Sequence, residues 1–248
     1  MLSVVVPTFN EGKNIRNLVT QIDDALKGVE YEIVFVDDSK DDTPRIIMEV
    51  AKDFPAVRME HRTGDDCTGL ATAVLKGFEL AKGDYMACMD ADLQHPPIVL
   101  KYMYKAMESG ADFCVPSRLI PGGDDGGLNW YRKFVSWTAR KIGQVMLPCL
   151  RKLTDPTSGL FMFRREVIEN ADLKPIGWKI MIEVLAMGTY SKVVEIPYKF
   201  QQRTEGESKL SGKVTLEYLK QVKNLRKRYN KANKYTVETW TTEQMMAE

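Results

Sequence analysis

Asp90 and Asp92 stand two residues apart in CMDADLQHPP (Cys88–Pro97), at the end of an apolar run, with Gln94 and His95 close behind. On a strand or in a turn, carboxylates so spaced can converge on one point, where they repel unless a proton or a cation offsets them. Asp, Asp and Gln supply hard oxygen donors, which suit Mg²⁺ or Mn²⁺. Mg²⁺ held by one or two carboxylates commonly completes its shell with substrate phosphates. The stretch therefore predicts a metal–diphosphate site with Asp90, Asp92 and Gln94 as ligands; the plainer alternative is a solvated Asp-rich turn. A phosphate also needs fixed cations. Arg118, Arg132 and Ser136 could converge on one, the last two being a helical turn apart. Each taken alone is more often an ordinary surface residue.

The elements that must position these residues alternate regularly. Apolar runs at Leu2–Pro7, Tyr31–Val36, Val57–Glu60, Asp84–Met89 and Asp112–Val115 read as strands. Helical periodicity covers the stretch from Ile15 to Leu26, then Thr43–Phe54, Gly69–Ala81 and Pro97–Glu108. Strand and helix in alternation predict an α/β fold, a mostly parallel sheet flanked by helices with right-handed crossovers. Such sheets bind ligands outside the carboxyl ends of their strands. Asp37-Asp38 and Asp90/Asp92 then fall on one edge. No GxGxxG or P-loop follows the first strand, which disfavours dinucleotide-binding and kinase-type readings.

Beyond the loop PGGDDGG (Pro121–Gly127) the pattern changes. Leu128–Lys152 reads as a long helix, Leu160–Phe163 and Val193–Pro197 as strands, and Glu166–Ala171, Trp178–Met187 and Ser211–Lys231 as helices, with a frayed end. The expected division is 1–212 as the main domain (1–117 for nucleotide and metal, 118–212 for the acceptor) and 213–248 as a basic helix with a polar tail.

The net charge is +1, but it is unevenly spread: residues 1–127 hold 13 Lys/Arg against 22 Asp/Glu, and residues 128–248 hold 22 against 12. The split suggests a cation-binding face and an anion-binding face. Leu128–Lys152 has six Lys/Arg, no acid, and interleaved Trp130, Phe134, Trp137, Ile142, Val145 and Leu147, as a helix lying in a lipid interface requires. The basic Ser211–Lys234 stretch lacks any nucleic-acid-binding motif, so no nucleic acid partner is expected. Four cysteines without a CxxC pair and two histidines argue against zinc. Cys88 and Cys114, in apolar runs, read as buried thiols. With no signal-like start and no apolar run near the ~18 residues of a spanning helix, a soluble or peripheral protein is expected.

The segments VVVPTFNEGKNI, VDDSKDDT, RTGDDCTGLATAVLKGF, MDADLQHPP, SRLIPGG, TSGLFMFRREV and GESKL, in that order, resemble the family-two glycosyltransferases of GT-A fold. The likeness is strongest to the polyprenyl-phosphate group that includes the dolichol-phosphate mannose synthases, and spans about residues 2–212. It implies that Pro7, Phe9 and Glu11 grip the nucleotide, with Phe9 in place of the commoner Tyr. Val36 and Asp38 match the base- and ribose-contacting strand end, although the loop after them is one residue shorter than usual. Asp90, Ala91 and Asp92 match the DxD motif, and Asp92 with Gln94 the metal ligands. Arg203 and Lys209 match cations near the donor diphosphate. Arg118, Arg132 and Ser136 match the site of the acceptor lipid phosphate, Arg118 within reach of the donor.

The resemblance implies an inverting, metal-dependent transfer of a sugar from a nucleotide-diphosphate donor, with GDP-mannose as first choice, to a polyprenyl (dolichyl) phosphate. A UDP-sugar donor, with a lipid phosphate or a glycan hydroxyl as acceptor, is the alternative; in the hydroxyl case Glu183 is a candidate base, against its reading as a helix-surface carboxylate. Two other classes are a sugar-phosphate nucleotidyltransferase, which PTFNEGKN does not fit, and a non-catalytic nucleotide-sugar-binding subunit. The expected location is cytoplasmic, peripheral on the cytoplasmic face of a membrane, with a membrane-anchoring partner as an option.

Overall fold

The computed structural model describes residues 1–127, 130–202 and 212–247. In chain order the elements are β1 (Leu2–Thr8), α1 (Gly12–Ala25), β2 (Tyr31–Asp37), α2 (Thr43–Asp53), β3 (Val57–His61), α3 (Leu70–Leu80), β4 (Tyr85–Cys88), α4 (Ile98–Glu108), β5 (Phe113–Ser117), α5 (Trp130–Met146), β6 (Phe161–Arg164), α6 (Ile180–Met187), β7 (Lys192–Pro197), α7 (Gly212–Arg228), β8 (Thr236–Thr239) and α8 (Thr242–Met246). One sheet carries all eight strands in the order β3-β2-β1-β4-β6-β5-β7-β8. Only β6 runs against its neighbours; the other pairs are parallel.

Both faces of the sheet are covered, which is why its strands are nearly continuous apolar runs. Val4, Val6, Ile33 and Phe35 face α1, α2 and α4, whereas Val5, Val34 and Val36 face α3. Gly77 lets α3 lie on β1: a Cβ there would sit 2.2 Å from Val5 Cγ1. Under the second half, Phe113, Phe161 and Phe163 stack across β5 and β6 at 5.7–5.9 Å, and Phe78 of α3 meets Phe163 edge-on. Cys88 and Cys114 are buried free thiols, as expected.

Three readings of the sequence need correction. Glu166–Ala171 is not a helix: a single 3₁₀ turn, Arg165–Val167, follows β6. There Arg165 is drawn back over the chain to donate to the carbonyls of Ala81 and Gly83. The polar end is not frayed. β8 extends the sheet beside β7, Trp240 and Met245 are buried, and α8 starts in a capping box between Thr241 and Gln244. Glu183 is not on a helix surface. It is 1% exposed and accepts hydrogen bonds from Lys174 N, Gln221 Nε2 and Arg228 Nη1, which tie α6 to α7.

Candidate active site

The carboxyl ends of β1, β2, β4, β5 and β7 lie along one edge of the sheet. Because β6 is antiparallel, its amino end lies there too. The register pairs Cys88 with Phe161, so beyond it Asp90 comes opposite Gly159. This places every described candidate residue except Arg132, Ser136 and Glu183 at a strand end on that edge or just beyond it.

At the β1–β2 notch Asp37 is fully buried and turned inward. It accepts from Thr8 Oγ1 (2.7 Å), Ser39 Oγ (2.6 Å) and the His61 ring (2.8 Å). Asn10 closes the notch from a left-handed backbone (φ 59°), its N–H donating to Ser39 Oγ and its Oδ1 accepting from Lys40 N. Asp38 is gripped in a two-pronged pair by Arg62 (2.7 and 2.6 Å). A cleft of about 460 Å³ opens beside it, lined in part by His61, Arg62, Asp66 and Thr72. Pro7 is buried, Phe9 is 44% exposed, and Glu11 Oε2 accepts from Asn14. The side chain of Val36 belongs to the core against α3, so it has no exposed surface to offer a base.

At the end of β4, pairing with β1 continues through Met89 N, which donates to Val5 O. The chain then turns sharply, Leu93 taking a left-handed conformation (φ 59°) while its side chain stays in the core. Such strain in a bulky residue persists only where the surroundings fix it. Asp92 Oδ1 accepts from Gln94 N (3.0 Å), while Gln94 O accepts from Gln201 N (2.9 Å). Ala91 is buried and Asp90 half-buried. Asp90 Oδ2 lies so close to Gly159 that a Cβ there would be 2.5 Å away. Among the described residues no three His, Cys, Asp or Glu side chains group as a metal site. Two carboxylates and an amide are the donor set of an ion that keeps positions for phosphate and water, and Asp90, Asp92 and Gln94 fit Mg²⁺ or Mn²⁺ in that sense. Arg203 and Lys209 lie outside the described residues.

At the end of β5, Arg118 donates Nε and Nη2 to the two oxygens of Asp155 (2.7 and 3.0 Å). Burial opposes the charge on both, but the ion pair outweighs it, holding the Asp155 carboxyl below its ordinary range and the guanidinium above. Among the described residues Nη1 makes no hydrogen bond. The guanidinium rests on the Phe200 ring (5.2 Å), and Phe200 meets His95 edge-on (5.3 Å). His95 stacks on Tyr198 (5.5 Å), and its Nδ1 is buried without a hydrogen-bond partner among the described residues. Burial, with Arg118 adding to it, lowers its pKa to about 3, so this histidine is neutral. Arg132 and Ser136 lie one turn apart on α5, both half-buried. Their stripe continues to Arg140, whose Nη1 donates to Thr154 O (3.1 Å), so it runs toward the turn that holds Asp155.

Asp155, Gly159 and Lys179 are the residues the sequence reading missed. The turn residues of TDPTSG signal a loop, but not that the loop folds against Asp90 and Arg118.

The fold and the edge define a class of nucleotide-sugar transferases, and the comparisons agree. The model of glycosyl transferase family 2 matches residues 3–171, and the chain belongs to this family. It is 45% identical over 227 residues to a dolichol-phosphate mannosyltransferase of Pyrococcus furiosus, covering 91% of the chain and 64% of that relative, just under two thirds of its length. Against the dolichol-phosphate mannosyltransferase of Saccharomyces cerevisiae it is 39% identical, covering 90% and 86%. A polyprenol monophosphomannose synthase of Mycolicibacterium smegmatis is 35% identical over 84% of the chain and 80% of that protein. The glucosyl-3-phosphoglycerate synthase of Mycobacterium tuberculosis, solved with Mn²⁺, UDP and glucosyl-3-phosphoglycerate, superposes with a TM-score of 0.72 at 16% identity, covering 93% and 81%. The fold is GT-A.

Proposed function

We propose that this chain transfers a hexose, mannose from GDP-mannose as first choice, to a polyprenyl phosphate such as dolichyl phosphate, with inversion in a single displacement. The observation that carries the reading is the pairing on one strand-end edge of a hard-oxygen metal set with a buried, pre-oriented arginine. The relatives named as dolichol-phosphate and polyprenol mannose transferases support mannose as the sugar and a polyprenyl phosphate as the acceptor.

Asp90, Asp92 and Gln94 would hold Mg²⁺ or Mn²⁺, which when bound offsets charge on the leaving diphosphate. The solved neighbours with Mn²⁺ or Mg²⁺ bound are in keeping with this. The Phe9–Asn10 turn and the Asp38–Arg62 pair would flank the nucleoside, with Pro7, Glu11 and backbone at Val36 beside them; Arg203 and Lys209 would meet the diphosphate. Arg118, fixed by Asp155, would direct Nη1 at the acceptor phosphate, with Arg132 and Ser136 completing its grip. A phosphate monoester is already ionised at neutral pH, so its oxygen can attack without a dedicated base. The buried, fully engaged Glu183 fits no such role.

The acceptor is reached at a membrane surface. Trp130, Phe134 and Trp137 on α5 are 79%, 59% and 50% exposed, and Leu216 and Leu219 on α7 are exposed as well. Lys133 and Lys141 stand among the α5 aromatics. This is apolar area with a basic rim, suited to anionic lipid. No described helix is long and apolar enough to cross a membrane. A peripheral position on the cytoplasmic face, alone or with an anchoring partner, follows from this reading.

The test is transfer of labelled sugar from a panel of GDP- and UDP-sugars into organic-extractable polyprenyl phosphate, with Mn²⁺ or Mg²⁺ and with chelator. Metal-dependent lipid label from one donor is the expected result. Transfer only to water-soluble acceptors would refute the lipid-phosphate reading.

A further inference from the structure

Lys179 stands at the start of α6 and donates its ammonium to Thr157 O (2.7 Å). Among the described residues no carboxylate comes within 4.0 Å of it. Lys179 is half-buried; an ammonium has three N–H donors, and a single carbonyl is partial compensation for a cation drawn out of water on one side. Thr157 lies in the turn that carries Asp155, which clamps Arg118, and Gly159, which faces Asp90. Lys179 is thus fixed to the segment joining the two halves of the edge. Its electrostatic neighbours say the same: burial and Arg118 lower its pKa, while Asp155 and Asp90 oppose that shift. If the lysine only filled space, a methionine of similar length would serve better, because it buries no charge.

We propose that Lys179 contacts substrate, its ammonium taking an anionic phosphate oxygen beside Arg118 on the line between donor diphosphate and acceptor phosphate. This rests on the transfer reading above. The lysine adds a second fixed cation where charge passes from one phosphate to the other.

The test compares the full chain with K179M and K179R. It measures kcat and both KM values, thermal midpoints, and the rise in midpoint produced by inorganic pyrophosphate with Mg²⁺. K179M is expected to keep or raise its own midpoint, yet to lose about 10²–10³-fold in kcat/KM, as removal of one oxyanion donor does. It should also lose most of the pyrophosphate response, and K179R should recover part of both. A rise confined to the acceptor KM assigns the oxygen to the acceptor; a fall in kcat with a higher donor KM assigns it to the donor. K179M within threefold of the unmodified chain, with an unchanged pyrophosphate response, overturns the proposal. So does an activity loss that only tracks loss of folded protein. If the unmodified chain transfers no sugar but K179M still abolishes the pyrophosphate response, the transfer reading falls and the anion contact stands.

Discussion

Gly159→Ala adds one methyl group just before β6, opposite Asp90 in the chain that leaves β4. The new Cβ would lie 2.5 Å from Asp90 Oδ2 and 3.4 Å from His95 Nε2. The second distance is tolerable and the first is not, so the carboxylate must retreat by roughly 0.5–0.9 Å to reach ordinary contact. The backbone at Gly159 is not left-handed, so alanine meets no conformational penalty. By restricting the unfolded chain it even contributes about 0.4–1 kcal/mol, which the crowding offsets. Stability should therefore stay within about 1 kcal/mol of the unmodified chain. Displacement of a site group by about 1 Å can cost about 10²-fold, so kcat/KM should fall roughly 30–100-fold, or about 2–3 kcal/mol of transition-state stabilisation. The assay is label transfer into the lipid phase over a Mn²⁺ titration, alongside thermal melting. A folded G159A protein with kcat/KM within threefold of the unmodified chain would refute the argument that this glycine makes room for Asp90.

Other consequences follow from named contacts. Asp155→Asn should release Arg118, raising the acceptor KM at least tenfold, and should destabilise the fold by about 3–5 kcal/mol as removal of one member of a buried pair does; acceptor kinetics and denaturant unfolding measure both. Replacing Trp130, Phe134 and Trp137 together by Ser should cut sedimentation with anionic vesicles at least tenfold, with little change in melting, since all three are exposed. Glu195 is buried and its pKa is raised, burial outweighing its hydrogen bonds from Thr154. Above the ordinary value of 4.5 and up to the raised one, the folded protein keeps a proton that the unfolded chain has lost. Stability from this group is fully present below 4.5 and is lost as pH rises through that window, by up to about 1.4 kcal/mol per pH unit. Glu195→Gln should flatten that slope in urea melts taken from pH 4.5 to 8; an unchanged slope would contradict it.

That the acidic clusters share one edge was legible because its logic is local. Each acidic cluster directly follows an apolar run, and a parallel sheet sends all such ends to one edge. The position of Arg118, just past β5, was legible for the same reason. What it touches was not: Asp155 lies 37 residues away, and β6 enters the sheet antiparallel, which no spacing announces. Gly159 and Lys179 owe their positions to that one inverted strand. Asp37 and Asp38 read as a single acidic pair, yet alternation turns Asp37 into the protein and leaves Asp38 to Arg62. Glu183 misled because a carboxylate in a helix reads as surface until Arg228 and Gln221, from a distant helix, are seen to enclose it. The last strand was hidden by composition: TVET is polar because it borders the sheet, with only one neighbour.

The central claim is that one edge holds two separable halves, a metal–diphosphate half at Asp90, Asp92 and Gln94 and an acceptor-phosphate half at Arg118. Measuring Mn²⁺-dependent nucleoside-diphosphate binding and acceptor KM for Asp92→Ala and Arg118→Ala tests it most directly. Asp92→Ala should lose metal-dependent binding of the nucleotide, while Arg118→Ala should keep it within threefold and raise the acceptor KM by at least tenfold. The same defect in both variants, or a full-strength metal-dependent nucleotide complex in Asp92→Ala, would contradict the account.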